Sequence, residues 1–302
     1  MLGLDMNILP FLGYRLQVFL VIFFISIVRK LDNNYQMSLK KELINETINL
    51  SIQAGNAIMD IYDSDNISST KKEDLSPLTE ADLLSNEIIL KGLKKIFPSI
   101  PILSEESSNI GFKERSKWKR YWLVDPLDGT KEFLKRNGEF TVNIALIEYK
   151  KPIFGVVYAP FLKTLYWGSK DHGSYEIIDK NKARKISVSK KNKFRIASSR
   201  SHQKSSTLES FFKKDEYTII KKGSSLKFCL VANGNIDIYP RIGPTSEWDL
   251  AAGHAVVKYA GGVVLDFKGK EITYNKKNLI NPDFIVCRSK GLALEIEKMI
   301  KN

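Results

Sequence analysis

The sequence predicts a mixed α/β fold, with an N-terminal α+β lobe that carries an antiparallel sheet and a C-terminal α/β lobe. Three patterns support this prediction: helical spacing of apolar residues near the start, consecutive strand-like runs in the middle, and strand-helix alternation in the last third. A chain of 302 residues is long enough for two joined lobes. We place these lobes at residues 38–190 and 191–302.

The first 37 residues form a hydrophobic extension with two interpretations. Its apolar run at 16–28 is short of the roughly 20 residues that a membrane-spanning helix needs. Arg29 and Lys30 follow the run, where a signal peptide would have small residues, so the pattern argues against secretion. The extension is either a marginal anchor on the cytoplasmic face of the inner membrane or sequence upstream of a true start at Met37. We favour the second interpretation and a cytoplasmic protein.

Two amphipathic helices begin the N-terminal lobe. Apolar residues recur at helical spacing over 38–63, and again over 82–97 after a polar loop at 65–68. Thr79 is the candidate N-cap of the second helix, and Pro98 ends that helix because proline cannot continue it.

The middle of the chain predicts an antiparallel meander. A short strand, PILSE, and a basic loop at 112–120 come first, and turn residues at Asn137-Gly138 and Lys150-Lys151-Pro152 separate the runs that follow. These strand-like runs are YWLVD, TVNIALIEY, IFGVVYA and TLYWGS.

The C-terminal lobe follows a polar, lysine-rich stretch at 179–193. Its predicted strands and helices alternate, which favours an α/β arrangement. In order they are strand FRIAS, a helix around 203–212, strand YTIIK, helix SLKFCLVANG, strand IDIYP, a helix over 248–259, strands GVVLDF and DFIVC, and a closing helix.

Charge and composition exclude several classes of protein. The net charge of +13 is spread along the chain, which indicates a general attraction for anions or simply a solvated surface, not specific nucleic-acid binding. Cys229 and Cys287 lie in apolar runs, as expected of buried thiols in a reducing compartment. The three histidines are scattered and no Walker-type glycine loop occurs, so a zinc site, a Ser-His-Asp triad and that route to ATP hydrolysis have no candidates.

Acidic residues stand at the ends of predicted elements, where they can project into a cleft. Glu105 and Glu106 follow PIL, Asp125 ends YWLV with Asp128 three residues later, and Asp249 opens an alanine-rich helix. Magnesium prefers oxygen ligands, and its sites usually combine a small number of carboxylates with waters and substrate phosphate. A loop with two aspartates and a carbonyl between them can bridge two such ions, which together activate water for phosphoryl transfer.

Each of these features also has a purely structural interpretation. DPLDG fits a type I turn, and Asp82 with Thr79 fits a helix-capping box. The helix dipole alone favours Asp249 in a first turn, and Glu106 can be an exposed partner of a lysine.

Gly129 and the residue after it open a short predicted helix, TKEFLKR, whose free amides would face a bound phosphate.

Four motifs in fixed order carry a resemblance to a known family. SPLTEAD, LSEE, WLVDPLDGT and SEWDLAAGHA closely resemble the signature set of magnesium-dependent, lithium-sensitive phosphatases that include inositol monophosphatases. Within that group, DPLDGTKEFLKRNGEFTVNIALIE, GSSLKFCLVANGNIDIYPR and GPTSEWD resemble the CysQ type of 3'(2'),5'-bisphosphate nucleotidase. The resemblance covers the chain from Met37 onward and implies a layered α-β-α-β-α sugar-phosphatase fold.

The resemblance implies two magnesium sites. Glu105, Asp125 and the carbonyl of Leu127 would hold one ion, and Asp125, Asp128 and Asp249 the other. A third, weaker ion is implied near Glu105.

The resemblance also implies catalytic and substrate-binding roles. Asp82 and Thr130 would orient and activate the attacking water, and the amides of Gly129 and Thr130 would hold the phosphate that is removed. Lys227, in GSSLKF, is the candidate for a contact to the second phosphate, while Glu106 would act through metal-bound waters. The implied substrate contacts are Glu105, Leu127, Asp128, Gly129, Thr130, Lys227 and Asp249.

The predicted activity is hydrolysis of adenosine 3',5'-bisphosphate, a by-product of sulfate activation and of acyl-carrier-protein phosphopantetheinylation. The partner is therefore a small-molecule nucleotide bisphosphate, and the protein is a monomer or a homodimer. The same chemistry on inositol phosphates or fructose bisphosphate is the nearest alternative. A binding protein for RNA or a membrane is the other, although such a protein has little reason to keep every ligand carboxylate.

Overall fold

The part of the protein that the computed structural model describes contains two large β-sheets and a small two-stranded one. The structure describes residues 41–64, 69–71, 77–107, 109–179, 181–190, 194–200 and 217–301. The hydrophobic extension, the predicted loop at 65–68 and the predicted helix around 203–212 lie outside the described residues. Within the described ranges, no helix has both the length and the apolar character of a membrane span.

The observed elements confirm the predicted mixed α/β class. The helices are α1 (Lys41–Tyr62), α2 (Glu80–Ile96), α3 (Phe112–Arg115), α4 (Thr130–Leu134), α5 (Leu226–Ala232), α6 (Glu247–Tyr259) and α7 (Lys290–Lys301). The strands are β1 (Ser69–Lys71), β2 (Pro77–Thr79), β3 (Ile102–Ser104), β4 (Arg120–Asp128), β5 (Thr141–Glu148), β6 (Lys151–Ala159), β7 (Thr164–Ser169), β8 (Gly173–Ile178), β9 (Arg184–Ile186), β10 (Phe194–Ser199), β11 (Tyr217–Lys222), β12 (Ile238–Arg241), β13 (Val263–Asp266) and β14 (Phe284–Cys287).

The first sheet is the predicted meander, extended at both ends. Its seven strands lie in the order β3-β4-β5-β6-β7-β8-β9, with β3 parallel to β4 and every later pair antiparallel. Strand β9 lies in the polar, lysine-rich stretch at 179–193, to which we assigned no strand. It forms because Ile186 pairs with Ser174 and is buried, while the lysines around it are exposed. The predicted basic loop at 112–120 likewise contains the helical turn α3.

The second sheet has five strands in the order β11-β10-β12-β14-β13. Strands β11, β10 and β12 run parallel, whereas β14 pairs antiparallel with both neighbours. The boundary predicted at residues 190–191 falls between Ile186 and Phe194, where one sheet ends and the other begins. The division into two lobes stays a prediction, because one hydrophobic cluster contains residues of both sheets, such as Leu123 and Val286.

Helix α6 packs directly on the first sheet, and glycines allow the close approach. A Cβ at Gly155 on β6 would lie 2.6 Å from the carbonyl oxygen of Ala252, and one at Gly168 on β7 would lie 2.8 Å from the Cα of Val256. The small side chains on the buried face of α6 also allow the helix to approach the sheet closely. This packing fixes the N-terminus of α6, which carries Asp249, against the sheet that carries Asp125.

Candidate active site

A β-bulge places Asp125 and Asp128 on the same face of the first sheet. Side chains alternate along a strand, so two residues three positions apart would normally point to opposite faces. Asp125 pairs with Asn143 and Asp128 pairs with Thr141, which leaves one extra residue on β4. Such a bulge reverses the alternation. The Ser85 hydroxyl donates a hydrogen bond of 2.7 Å to the Pro126 carbonyl and anchors the bulge to α2.

Three of the predicted metal ligands meet at this face. Carboxylate oxygens of Glu105, Asp125 and Asp249 all lie within 4.8 Å of one another. Burial raises the pKa of Asp249 well above its ordinary value, and the negative charges of Asp128 and Glu105 raise it further. The cluster is therefore held together against its own charge, which favours a bound cation.

Asp128 lies close to this cluster, and its Oδ2 atom accepts hydrogen bonds. The hydroxyls of Ser224 and Ser225 each donate at 2.7 Å, and the amide of Asn143 donates at 3.4 Å. The Ser225 hydroxyl also lies 2.9 Å from the main-chain oxygen of Asp249. The loop before α5 thus holds two of the predicted ligands at once.

Asp82 and Thr130, the two residues predicted to activate the water, are hydrogen-bonded to each other. The Thr130 hydroxyl donates to Asp82 Oδ1 at 3.3 Å, and Asp82 Oδ2 accepts from the main-chain N–H of Thr79 at 2.8 Å. Thr79 is the N-cap of α2, so the predicted capping box is confirmed. Asp249 makes the matching contact with Ser246 at the start of α6, at 2.8 Å. The structural and catalytic interpretations are therefore compatible.

Gly129 has a backbone conformation that explains its identity. Its φ of 92° lies in the left-handed region, where side chains are strained. A Cβ there would approach the Glu139 carbonyl oxygen to 3.1 Å and the Ser224 Cβ to 3.2 Å. Helix α4 begins at the next residue, Thr130.

A cleft of about 520 Å³ opens beside the acidic cluster. Glu105, Asp128, Gly129, Thr130 and Asp249, all predicted site residues, line it together with Lys227. The predicted residues Asp82, Asp125 and Leu127 do not line it, since each is at least 98% buried behind the wall. Glu106 lies in the 3-10 turn after β3, outside the cleft lining.

Lys227 is a buried cation at the wall of this cleft. Its ammonium donates to the main-chain carbonyls of Ser224 at 2.6 Å and Lys222 at 3.2 Å, and it lies 5.2 Å from the centre of the Tyr239 ring. Burial lowers the pKa of Lys227 to about 8, although the negative charge of Asp128 opposes this shift.

Several residues at the site were not predicted from the sequence. Thr141 and Asn143 are buried on β5 and support Asp128, while Tyr239 and Arg241 line the cleft from β12. Two quoted segments of the resemblance contain them: GSSLKFCLVANGNIDIYPR contains Tyr239 and Arg241, and DPLDGTKEFLKRNGEFTVNIALIE contains Thr141 and Asn143. Neither segment singles these four residues out, and the strand pattern around Thr141 and Asn143 signals secondary structure alone.

The family model described as inositol monophosphatase family matches residues 39–297. The chain belongs to the inositol monophosphatase family. Members of this phosphatase family include relatives described as 3'(2'),5'-bisphosphate nucleotidase CysQ. The protein from Salmonella typhimurium is 46% identical over 246 residues, covering 81% of this chain and 99% of the relative. The protein from Haemophilus influenzae is 36% identical over 258 residues, covering 83% and 94% respectively.

Solved structures of the inositol monophosphatase family have the same fold. CysQ from Bacteroides thetaiotaomicron superimposes with a TM-score of 0.72 at 39% identity, covering 81% of this chain and 96% of that one. An IMPase from Thermotoga maritima gives 0.71 at 26% identity, covering 86% and 97%. The chain is therefore an enzyme of a phosphatase family, and the predicted fold is confirmed.

Proposed function

We propose that the protein is a magnesium-dependent 3'(2'),5'-bisphosphate nucleotidase that converts adenosine 3',5'-bisphosphate to AMP and phosphate. One observation carries the proposal: Glu105, Asp125 and Asp249, from separate parts of the chain, place their oxygens within 4.8 Å beside a cleft lined by Lys227. The names of these two relatives support the nucleotide as substrate.

The acidic residues fit magnesium. Their donors are all oxygens, and burial, together with the negative charges of Asp128 and Glu105, raises the pKa of Asp249, which a bound cation would offset. Glu105, Asp125 and the carbonyl of Leu127 would hold one ion, and Asp125, Asp128 and Asp249 a second. Bound ions of this kind supply the positive charge that activates a water and stabilises the leaving oxygen.

The chain's own residues orient the water and the phosphate. The Thr130 hydroxyl, which donates to Asp82, has a lone pair to accept a proton from the attacking water while Asp82 receives the hydroxyl proton. The amides of Gly129 and Thr130 stand at the start of α4, where free N–H groups bind anions. These contacts would hold the scissile phosphate in line with the water.

Two basic side chains in the cleft lining suit the second phosphate. Lys227 and Arg241 line it, and Arg241 Nε is buried without a hydrogen-bond partner among the described residues. An unsatisfied buried donor is costly, so a group that accepts from it gains affinity. This arrangement favours a substrate with two phosphates.

Hydrolysis of inositol phosphates or related sugar phosphates is the second candidate function, favoured by family membership alone. Initial rates of phosphate release with magnesium distinguish the two. We expect kcat/KM to be higher for adenosine 3',5'-bisphosphate than for inositol 1-phosphate or fructose 1,6-bisphosphate. The sulfated precursor of adenosine 3',5'-bisphosphate is the fourth substrate to compare. Faster hydrolysis of either sugar phosphate would replace the nucleotide assignment.

Asp125→Asn tests the catalytic assignment. We expect turnover to fall at least about 10³-fold, since the change removes a charged ligand predicted to bridge both ions. Circular dichroism should show an unchanged fold. Asp60→Asn, an exposed aspartate on α1, is the matched control and should keep full activity. Normal turnover by Asp125→Asn would refute the metal assignment.

A further inference from the structure

Four polar side chains cluster around one oxygen of Asp128. The hydroxyls of Ser224 and Ser225 both donate to Asp128 Oδ2 at 2.7 Å, and the Asn143 amide donates to Ser225 Oγ at 2.9 Å. The Thr141 hydroxyl lies 2.6 Å from that of Ser224 and 3.0 Å from Asn143 Oδ1, and its single proton serves one of these two contacts.

The two serine hydroxyls fix the orientation of the Asp128 carboxylate. A carboxylate oxygen has two lone pairs, and these two hydroxyls suffice to fill both on Oδ2. A metal ligand must present its oxygen in a fixed direction, and neighbours that hydrogen-bond a ligating carboxylate set that direction. Asp128 would therefore be held in one orientation when it binds a cation.

The backbone of Ser224 provides a second, independent observation. Its φ of 51° lies in the left-handed region, which serine rarely adopts and glycine adopts without strain. Its main-chain carbonyl accepts from Lys227, and its hydroxyl reaches Asp128. Strain of this kind persists where surrounding contacts over-determine a residue, which is common at functional sites. Turn geometry alone would favour glycine, so the hydroxyl is what accounts for serine here.

We propose that Ser224, Ser225, Asn143 and Thr141 are positioning residues that orient Asp128 for magnesium and tie it to the start of helix α5, which carries Lys227. The inference rests on the proposed function and goes further, because it assigns an effect on metal affinity to residues outside the predicted ligand set. Ser224 and Ser225 line the cleft, and they would affect metal affinity through Asp128.

Ser224→Gly is the decisive variant, because glycine relieves the backbone strain while removing the hydroxyl. We expect magnesium affinity, measured by isothermal titration calorimetry without substrate, to weaken about 10- to 100-fold, as for other changes to residues that hold metal ligands. The magnesium concentration for half-maximal rate should rise in parallel, with KM for adenosine bisphosphate little changed at saturating metal. Thermal unfolding without magnesium should be no lower than in the wild type.

Two further variants control this experiment. Lys150→Gly relieves a similar left-handed φ of 64° in the exposed turn after β5, and should leave magnesium affinity unchanged. Ser225→Ala should weaken magnesium binding, while Ser225→Thr, which keeps the hydroxyl, should restore it. Wild-type magnesium affinity in both Ser224→Gly and Ser225→Ala would overturn this inference and leave the proposed function standing. A wild-type protein that neither binds magnesium nor releases phosphate would instead overturn the proposed function.

Discussion

At the scale of single residues, Lys227 has an unusual environment for a lysine. Only 5% of its surface is exposed, and its ammonium contacts two main-chain carbonyls and an aromatic ring. Carbonyl dipoles and a ring face compensate a positive charge only in part. An anionic phosphate in the cleft would complete that compensation.

The pH dependence of substrate capture should report the charge on Lys227. Because burial lowers its pKa to about 8, raising the pH through 8 removes the charge from the free enzyme. We expect kcat/KM for adenosine 3',5'-bisphosphate to fall above pH 8, whereas kcat/KM for 3'-AMP, which lacks the second phosphate, should not show this step. Lys227→Gln should lower the bisphosphate value about 10-fold and abolish the step. The same step with 3'-AMP would assign the titration to another group.

The sequence predicts which residues belong to the site better than it predicts what those residues contact. Acidic residues at element ends, together with the motifs, identified Glu105, Asp125, Asp128 and Asp249, and the structure brings these carboxylates to one cleft region. The support that Asn143 gives Asp128 could not be predicted. It depends on the register of two strands, and nothing in an alternating apolar run marks one polar position as a neighbour of the site.

At the scale of elements, strand and helix periodicity predicted most of what is observed. The regions that it missed, β8, β9 and the short pair β1 and β2, are strands with few buried side chains, so tertiary pairing defines them more than sequence pattern does. The sequence pattern also gave no sign of the bulge in β4. Spacing alone places Asp125 and Asp128 on opposite faces, and only the paired strand β5 shows the extra residue.

The sharp connection from β4 to α4 depends on Gly129. We expect Gly129→Ala to lower the free energy of unfolding by about 1–3 kcal/mol, since a Cβ would strain the left-handed φ of 92° and contact the Glu139 carbonyl and Ser224. Activity should fall as well, because the chain must shift where Thr130 begins the helix. Urea unfolding and phosphate release measure the two effects.

Gly111→Ala is the matched control for that experiment. Gly111 has a φ of −63°, and a Cβ there meets nothing within 4 Å. Stability and turnover should both stay near wild type. An equally mild effect at Gly129 would show that the connection tolerates a side chain, and would remove the geometric reason for glycine at that position.

At the scale of the whole molecule, one buried carboxylate joins the two sheets beside the site. Glu139, just before β5, accepts hydrogen bonds from Arg200 at 2.8 and 2.9 Å, from Lys222 at 3.0 Å and from the Gly223 amide at 2.8 Å. Arg200 follows β10 and Lys222 ends β11, so these contacts hold the second sheet and the start of the 223–225 loop against the first.

Acid sensitivity should follow from Glu139. Burial alone would raise its pKa, but the hydrogen bonds from Arg200, Lys222 and Gly223 lower it to about 2, against an ordinary value of 4.5. A carboxyl with a lowered folded-state pKa stabilises the protein fully above pH 4.5, and that stability is lost as the pH falls toward 2. Glu139→Gln should therefore lower the free energy of unfolding by about 2–3 kcal/mol at pH 7 and by progressively less between pH 4.5 and pH 3.

Urea unfolding of wild type and variant across pH 7 to 3 measures this difference directly. Glu46→Gln, an exposed glutamate on α1, should run parallel to wild type at every pH. Glu271, whose pKa is lowered to about 2 by His254 and Lys258 despite burial, titrates in the same window, but it is present in all three proteins and cancels in the comparison. A Glu139→Gln curve parallel to wild type would mean that the ion pairs are as strong in the unfolded chain, and that the sheets are held together by their shared apolar core alone.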